Sequence, residues 1–173
     1  MMTVVLMVMA AAPLEVRVLE RETPASVHLE AARVTCDGKP VANSVDVVAD
    51  RREVRVGEAL CQLVVADGPV TVTARNTKRA FAGQLRASLQ SSVVKLVNVV
   101  EDYLPSVVQA EADGQKPAAL EAQSIVSRTF ALTAKRHGSN GYHLCDLAHC
   151  QVYRGADAGA DARAAVKKTA NQV

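Results

Sequence analysis

The sequence predicts an α+β domain, in which a β-rich N-terminal half is followed by helices that carry the candidate site. In the first half, short segments alternate apolar and polar residues, which is the pattern of half-buried strands. From Val100 onward, the apolar positions step by three or four residues, which is the period of a helix. Strands followed by helices, rather than alternating with them, favour this class over a doubly wound α/β fold.

The predicted strands are short and are separated by turn-forming residues. Asp37-Gly38, Asp67-Gly68 and the surroundings of Gly57 mark turns between them. The last predicted strand is rich in β-branched residues and closes the strand section. The predicted strands are Leu14–Leu19, Ser26–Leu29, Val45–Val48, Glu53–Val56, Pro69–Thr73 and Ser88–Val100.

Three helices are predicted in the second half. Gly114 ends the first, and Pro117 suits the first turn of the second. Basic residues followed by Gly138 end the second helix, as expected for a helix C-terminus. The predicted order is a helix from Val100 to Gly114, a helix from Pro117 to Gly138, a short strand or loop from Tyr142 to Tyr153, and a helix from Asp157 to Gln172.

Composition limits the classes of function. A chain of 173 residues with 49% hydrophobic residues can bury one ordinary core but not two large ones. The net charge of +2 comes without a basic cluster interleaved with aromatic residues, so we expect no nucleic-acid partner. The sequence has no glycine-rich phosphate loop either.

The N-terminus raises the question of targeting. Val4–Ala12 is apolar and ends in small residues, like the second half of a secretory signal peptide, although it lacks a basic start. It is too short to span a bilayer as a helix, so no transmembrane span is predicted. We therefore interpret residues 1–13 as a signal-like or truncated apolar N-terminus, or a buried first strand, and residues 14–173 as one domain.

Glu111 is the first candidate for chemistry. It continues the apolar stripe of Leu104, Val107 and Val108, which places its carboxyl group along the apolar face near the helix end. A carboxyl group in such a place resists ionisation and can hold a proton near neutral pH, as a general acid for glycosidic cleavage must. From spacing alone, the alternative of a glutamate reaching solvent at a frayed helix end is favoured.

Four cysteines suggest two kinds of site. Cys145 and Cys150 lie close to His143 and His149, and two thiols with two imidazoles are the ligand types of a tetrahedral zinc site. The alternatives are a disulfide between these two cysteines, or buried thiols. In the strand-rich half, Cys36 and Cys61 would form a disulfide in an oxidising compartment and remain buried thiols in the cytosol.

Two further positions have polar side chains that can bind a ligand. Arg128 lies inside the second predicted helix, where an ordinary solvated arginine is the simplest interpretation. Tyr153 and Arg154 follow the Cys/His cluster and can line a groove for a polar polymer, although their spacing does not require it.

Four segments in order resemble the SpoIID/LytB domain family. Asn98–Glu111 (NVVEDYLPSVVQAE) is similar to its "YL-x-x-VV-x-x-E" helix, and Ala119–Phe130 (ALEAQSIVSRTF) to its "ALKAQA-x-x-ARTY" helix. Cys145–Tyr153 (CDLAHCQVY) resembles the "D-x-x-HCQVY" segment, and Arg79–Gly83 the upstream "R-x-Y-x-G" segment. Together the four matches, spread over 79–173, are far more specific than any one alone.

The resemblance implies a lytic transglycosylase that acts on peptidoglycan outside the cytoplasm and prefers glycan strands stripped of stem peptides. Glu111 matches the single catalytic acid of the family, which cleaves between MurNAc and GlcNAc and leaves a 1,6-anhydro end. By the same resemblance, Arg128, Gln151 and Tyr153 are candidate substrate-binding residues. Some relatives are instead enhancers of a cell-wall amidase that bind glycan without cutting it, which is the leading alternative.

The resemblance also implies that zinc is bound by Cys145, His149 and Cys150. We predict His143 as the fourth ligand, with His137 as the alternative, and expect the zinc to stabilise the loop beside the groove. A zinc-stabilised interaction domain without a glycan role is a third interpretation of this cluster, but it leaves the Glu111 and Arg128 helices unexplained.

Two departures from the family pattern affect these expectations. Ala112-Asp113 stand where the family usually has Met-Pro, and a carboxylate close to Glu111 would further disfavour its ionisation, or mark an altered activity. Family members also continue past the position of Val173 into further strands and a "CGG" segment. We therefore expect this chain to be an incomplete family domain.

Overall fold

The computed structural model describes residues 13–100, 102–134 and 136–173. Within them the chain forms thirteen strands, three α-helices and one 3-10 turn, and the strands precede the helices except for the last. The predicted α+β class is confirmed. The strands are β1 Leu14–Val18, β2 Ser26–Glu30, β3 Arg33–Cys36, β4 Lys39–Val41, β5 Ser44–Asp50, β6 Glu53–Val56, β7 Ala59–Cys61, β8 Val64–Asp67, β9 Val70–Ala74, β10 Thr77–Phe81, β11 Gln84–Gln90, β12 Val93–Val100 and β13 Leu144–Cys145.

The strands build two sheets that pack against each other. One sheet has the order β13-β1-β12-β11-β8-β3-β4, and the other β10-β9-β2-β5-β6-β7. In the first sheet, β11 contacts β5 and β6 of the second sheet. β12 contacts β2 and β5 of the second sheet. Alternate residues of each strand, such as Val70, Val72 and Ala74 in β9, are buried in the shared core. The period-two pattern therefore indicates the inward faces correctly.

Cys36 and Cys61 form a disulfide that joins the two sheets. Cys36 ends β3 in the first sheet, and Cys61 ends β7 in the second, so the bond links strands that no backbone ladder connects. Both cysteines are buried. Of the two alternatives that the sequence left open, the structure has the disulfide.

The long strand predicted at Ser88–Val100 is instead the second half of a hairpin. β11 ends at Gln90, and Ser91 and Ser92 both adopt positive φ angles of 51° and 64°. Two consecutive left-handed residues make the tight turn that suits the twist of paired strands, so the chain reverses there and continues as β12. The many β-branched residues that follow the two serines concealed this turn.

The three helices follow the predicted order but have shorter bounds: α1 Leu104–Ala112, α2 Pro117–Thr133 and α3 Ala160–Lys168. Pro117 is the first residue of α2, as predicted, whereas Val100 ends a strand rather than beginning a helix. The predicted helix at Asp157–Gln172 extends too far in both directions, because α3 begins after Gly159 and ends before Thr169. The helices pack on one another around Val108, Leu120, Ala162 and Ala165.

The segment between α2 and α3 returns to the first sheet. β13 lies parallel to β1, with Leu144 opposite Val16 and Cys145 opposite Arg17. Further along, Gly155 has a φ angle of +94° and its Cα faces the Ala80 carbonyl so closely that a Cβ would collide with it. Glycine is therefore required where this segment crosses β10. The segment is thus fixed to the sheets at both ends.

Candidate functional site

Glu111 lies in the last turn of α1, and its carboxylate joins three parts of the fold. Its Oε1 accepts a hydrogen bond from the backbone N–H of Val152 at 3.0 Å. Its Oε2 accepts a hydrogen bond from Nε2 of Gln123 in α2 at 2.7 Å. Gln123 also donates to the Ser127 hydroxyl at 3.1 Å, which orients its amide. The carboxylate is therefore held in one orientation by two donors, while its residue remains exposed to solvent.

Glu111 reaches solvent, which is the alternative that its spacing alone favoured. Val107 and Val108 are fully buried, whereas Glu111, one turn later, is exposed. Asp113 Oδ1 accepts a short hydrogen bond from Gln109, in the preceding turn of the helix. What singles out Glu111 is its fixed orientation at the surface rather than burial.

A compact group of four side chains that can bind a metal lies just before Val152, the residue whose N–H contacts Glu111. His137, Cys145, His149 and Cys150 each offer one ligand atom, and these atoms all lie within 4.8 Å of one another. Cys145 Sγ is 3.2 Å from His149 Nε2, and Cys150 Sγ is 3.3 Å from His137 Nε2. The two imidazole Nε2 atoms are 3.4 Å apart. This cluster can hold a metal ion.

The thiols of this cluster are not joined to each other. Within the described part of the chain, Cys145 and Cys150 are both buried and free. Burial raises the pKa of the Cys145 thiol to about 12, so that the thiol alone keeps its proton near neutral pH. Thiolate ligation requires a bound cation to offset that desolvation.

The structure brings His137, rather than His143, to the cluster. His143 precedes β13, and its Nδ1 accepts a hydrogen bond from the Glu15 N–H of β1 at 3.0 Å. Its imidazole is therefore used to pair the segment with the sheet. His137 lies after α2, and its ring stacks on Tyr142 at 4.9 Å between centroids. His137, the alternative fourth ligand of the sequence analysis, therefore completes the cluster, and His143 lies outside it.

Arg128 is placed away from the Glu111 carboxylate. Its guanidinium donates to the backbone carbonyls of Thr169 at 2.9 Å, Gln172 at 2.7 Å and Val166 at 3.3 Å. These carbonyls lie at the end of α3, where the helix leaves its last carbonyl groups unpaired. Arg128 therefore joins α2 to the C-terminus of α3, and all of its contacts in the described residues are internal.

Gln151 and Tyr153, the other candidate substrate-binding residues, are buried rather than arranged along a groove. Tyr153 is only 1% exposed, and its hydroxyl donates to Asn98 Oδ1 at 2.8 Å. Its ring packs on Tyr103 at 5.0 Å between centroids. Gln151 donates to the Ser127 carbonyl at 3.3 Å. The intervening Val152 instead presents its backbone to Glu111, because alternate residues of an extended segment face opposite sides.

Asp146 anchors the loop that carries the cluster, a role that the sequence analysis did not assign. Its carboxylate accepts hydrogen bonds from the backbone N–H groups of Leu19 at 2.8 Å and Glu20 at 3.3 Å. It also pairs with Arg79 of β10 at 3.1 Å. Burial raises the pKa of Asp146, although the two N–H donors and Arg79 oppose this shift. The sequence feature that could have identified Asp146 is the aspartate of the "D-x-x-HCQVY" segment.

Comparison with known families gives a match to the half of the chain that carries this site. The family model described as stage II sporulation protein, SpoIID, matches residues 89–173. This half of the chain belongs to the SpoIID family. The family is associated with degradation of cell-wall glycan, and its description places it in sporulation. Neither the curated proteins nor the solved structures give a significant match to the chain.

The family match contains Glu111, Arg128 and the four residues of the metal-binding cluster. It begins at Leu89, so β1 to β10 and the Arg79–Gly83 segment lie outside it. The apolar segment Val4–Ala12 falls outside the described residues. Among the residues that are described, no helix has both the length and the apolar character needed to cross a membrane.

Proposed function

We propose that this protein is a peptidoglycan lytic transglycosylase and that Glu111 is its acid and base. The observation that carries the proposal is the Glu111 carboxylate, which is exposed to solvent yet oriented by Val152 and Gln123. A general acid must meet the leaving oxygen in a defined geometry, and it must be reachable by a polymer. The family's association with cell-wall glycan supplies the substrate class.

The proposed reaction uses one carboxyl group twice. Protonated Glu111 donates its proton to the oxygen between MurNAc and GlcNAc, and the bond from C1 of MurNAc to that oxygen breaks. The resulting carboxylate then accepts the proton of the MurNAc 6-hydroxyl while that oxygen bonds to C1. Glu111 regains its proton, the products are a free GlcNAc end and a 1,6-anhydro-MurNAc end, and no water is consumed.

We further propose that His137, Cys145, His149 and Cys150 hold a zinc ion. Tetrahedral zinc with ordinary bond lengths places two nitrogen ligands roughly 3.3 Å apart, and a nitrogen and a sulfur roughly 3.6 Å apart. The observed separations of 3.2, 3.3 and 3.4 Å are close to these edges. Four protein ligands make a closed site, so bound zinc would stabilise the loop and leave the chemistry to Glu111.

The disulfide supports an extracytoplasmic location. Disulfides persist in oxidising compartments, and the Cys36–Cys61 bond joins the two sheets of the scaffold. Peptidoglycan lies in the same compartments. We therefore place the protein in the cell envelope or outside the cell, with glycan strands as its partner.

The alternative is a glycan-binding enhancer of a cell-wall amidase that does not cut glycan. The presence of Asp113 where the family usually has proline favours it, because this residue changes the end of the helix that carries Glu111. Retention of an oriented glutamate favours the enzyme.

The test is digestion of denuded glycan strands by the protein, with mass spectrometry of the products. Anhydro-ended fragments are expected from the wild type, and Glu111→Gln should release them at least about 100-fold more slowly, because it keeps the shape but cannot donate the proton. Glu58→Gln, in an exposed turn between β6 and β7, is the matched control and should cut like the wild type.

The negative result is equally informative. If the folded, zinc-loaded wild type binds sacculi but releases no anhydro-ended fragments, the enzyme assignment is wrong. Stimulation of an added amidase by the same preparation would then establish the enhancer.

A further inference from the structure

A basic cavity lies along the segment that contacts Glu111. The cavity has a volume of about 280 Å³, and Arg21, Arg79 and Arg154 contribute to its lining together with Glu22 and Asp146. A second cavity of about 490 Å³ shares Arg79 and Arg154 with the first. The two cavities are therefore adjacent, and the second adds Lys78 and Asp157; together they are called the depression below.

The charges in this depression are divided between an internal pair and outward-facing cations. The Arg79 guanidinium forms ion pairs with Asp146 at 3.1 Å and with Glu22 at 3.8 Å. The negative charges of these two carboxylates are therefore largely balanced by Arg79. Arg21, Lys78 and Arg154 are exposed, and within the described residues their side chains form no ion pair. Three cations therefore face the solvent, opposed by Asp157 alone. Such an arrangement attracts an anion.

The depression is connected to Glu111 through the chain itself. Val152 lines the cavity, and its N–H is the donor to Glu111 Oε1. Arg154 follows Val152 by two positions, so their Cα atoms lie at most about 7 Å apart. The Arg154 backbone is fixed by a hydrogen bond from its N–H to the Ser106 hydroxyl of α1 at 3.2 Å. The position of Arg154 relative to the helix that carries Glu111 is thus set by the fold.

We infer that this depression is a carboxylate subsite, in which Arg154, supported by Arg21 and Lys78, binds the lactyl carboxylate of a MurNAc residue near the cleavage point. The inference rests on the proposed function, because it takes the substrate from it. Arginine binds a carboxylate through two parallel hydrogen bonds, which adds geometric specificity to charge attraction.

The chemistry of the substrate gives this subsite a consequence for selectivity. In a strand that bears stem peptides, the lactyl carboxyl group is an amide and carries no charge. Removal of the peptide leaves a carboxylate on the sugar. A cationic subsite on the segment that orients the acid therefore distinguishes stripped strands from peptide-bearing ones through the group that peptide removal creates.

The inference is tested by binding of short glycan oligosaccharides to Glu111→Gln, which cannot cut them. Three ligands separate the sources of negative charge: denuded glycan, the same glycan with its lactyl carboxyl groups converted to methylamides, and peptide-bearing glycan. Denuded glycan should bind about tenfold more tightly than the methylamide form, as expected for a charge-assisted hydrogen bond. Adding Arg154→Gln should weaken denuded glycan about tenfold and leave the methylamide form unchanged.

Arg52→Gln, in the exposed turn between β5 and β6, is the matched control, because it removes the same charge far from this cavity. It should change none of these affinities. Equal affinity for the denuded and methylamide forms overturns the inference, and so does an Arg154→Gln variant that weakens both alike. Tighter binding of peptide-bearing glycan, lost in Arg154→Gln, also overturns it by assigning the subsite to peptide carboxylates.

Digestion of the same ligands by the wild type separates this inference from the proposed function. Equal cleavage of the denuded and methylamide forms retains the transglycosylase and removes the subsite. Carboxylate-dependent binding without cleavage retains the subsite and removes the transglycosylase.

Discussion

The two halves of this protein are stabilised in different ways. The strand-rich half, 13–100, buries alternate apolar residues between two sheets and adds the Cys36–Cys61 disulfide. The helices of the second half share a small core of Val108, Leu120, Ala162 and Ala165, two of which are alanines. The second half also buries larger side chains in the main core, among them Tyr103, Val107, Leu144 and Tyr153. Its attachment therefore combines apolar burial with polar contacts, and all of the candidate site residues lie there.

The polar contacts tie the site segment to the scaffold at several points. Asn98 of β12 is fully buried, donates to the carbonyls of Ala82 and Gln84, and accepts from Tyr153. Asp146 fixes the other end of the segment to the start of the chain. Between these anchors lie the metal-binding cluster and the donor to Glu111. The sheet thus positions this segment through polar anchors as well as through buried side chains such as Leu144 and Tyr153.

Removal of the proposed zinc should separate the two halves most strongly. We expect a chelator to accelerate amide exchange in residues 136–154 by at least about 100-fold, because a structural zinc contributes much of the stability of the loop that holds it. Amides of β11 and β12 should keep their protection, and cleavage of glycan should be lost with the ordered segment. Hydrogen exchange measured by mass spectrometry reports both halves in one experiment.

The matched control is the Cys145→Ser/Cys150→Ser double variant, which lacks two of the ligands. Its segment should exchange rapidly with or without chelator. If chelation leaves residues 136–154 protected in the wild type, the prediction fails, and the segment is held by its polar anchors and buried side chains without zinc. If β12 loses protection equally, the two halves unfold as one unit.

Removal of the disulfide should have the next largest effect, and it acts on the other half. Cys36 and Cys61 are separated by 25 residues, and a bond that closes a loop of this size stabilises a protein by about 3 kcal/mol. The Cys36→Ala/Cys61→Ala double variant should show this loss in urea unfolding. Its glycan cleavage at 25 °C should be unchanged, because the site lies in the other half. An unchanged unfolding midpoint would show that sheet packing alone holds β3 against β7.

Much of the scaffold could be predicted from the sequence because its pattern is local. Each of the six predicted strands has a counterpart, and alternation identified buried positions such as Val54 and Val56. Other strands, such as β10 with its exposed Lys78 and Ala80, were missed. β10 is an edge strand, and only one of its faces is buried. Pairing order and the meeting of two sheets depend on contacts between distant residues, which no local pattern encodes.

The site shows the same limit in its individual residues. Glu111, Cys145, His149 and Cys150 were singled out from motif and residue type, and the structure brings the last three together. His137, which was only the alternative to His143, joins them from the end of α2 through contacts that the local sequence does not encode. The structure places Tyr153 in the core because its hydroxyl finds Asn98, a partner 55 residues away. Long-range partners of this kind decide whether a polar side chain meets substrate or packs inside.

Substitution of Arg128 should have the smallest effect on stability of the changes considered, and it tests whether α2 and α3 are fixed to each other. The Arg128→Met variant keeps most of the length of the side chain and removes its hydrogen bonds to Val166, Thr169 and Gln172. We expect a loss of about 1–2 kcal/mol, because charged groups at a helix C-terminus stabilise unpaired carbonyls. Thermal unfolding measures this loss, and glycan-binding affinity should be unchanged because the contacts of Arg128 are internal.

Lys167→Met removes a charge from the exposed side of α3 and is the matched control, for which we expect no loss of stability beyond a few tenths of a kcal/mol. The opposite pattern for Arg128→Met, with stability retained and KM for denuded glycan raised, would assign the guanidinium to substrate, as the family resemblance implies. That result would require Arg128 to leave the end of α3 when glycan binds. The helical half would then contain a moving part, whereas the contacts described above make α2 and α3 a fixed pair.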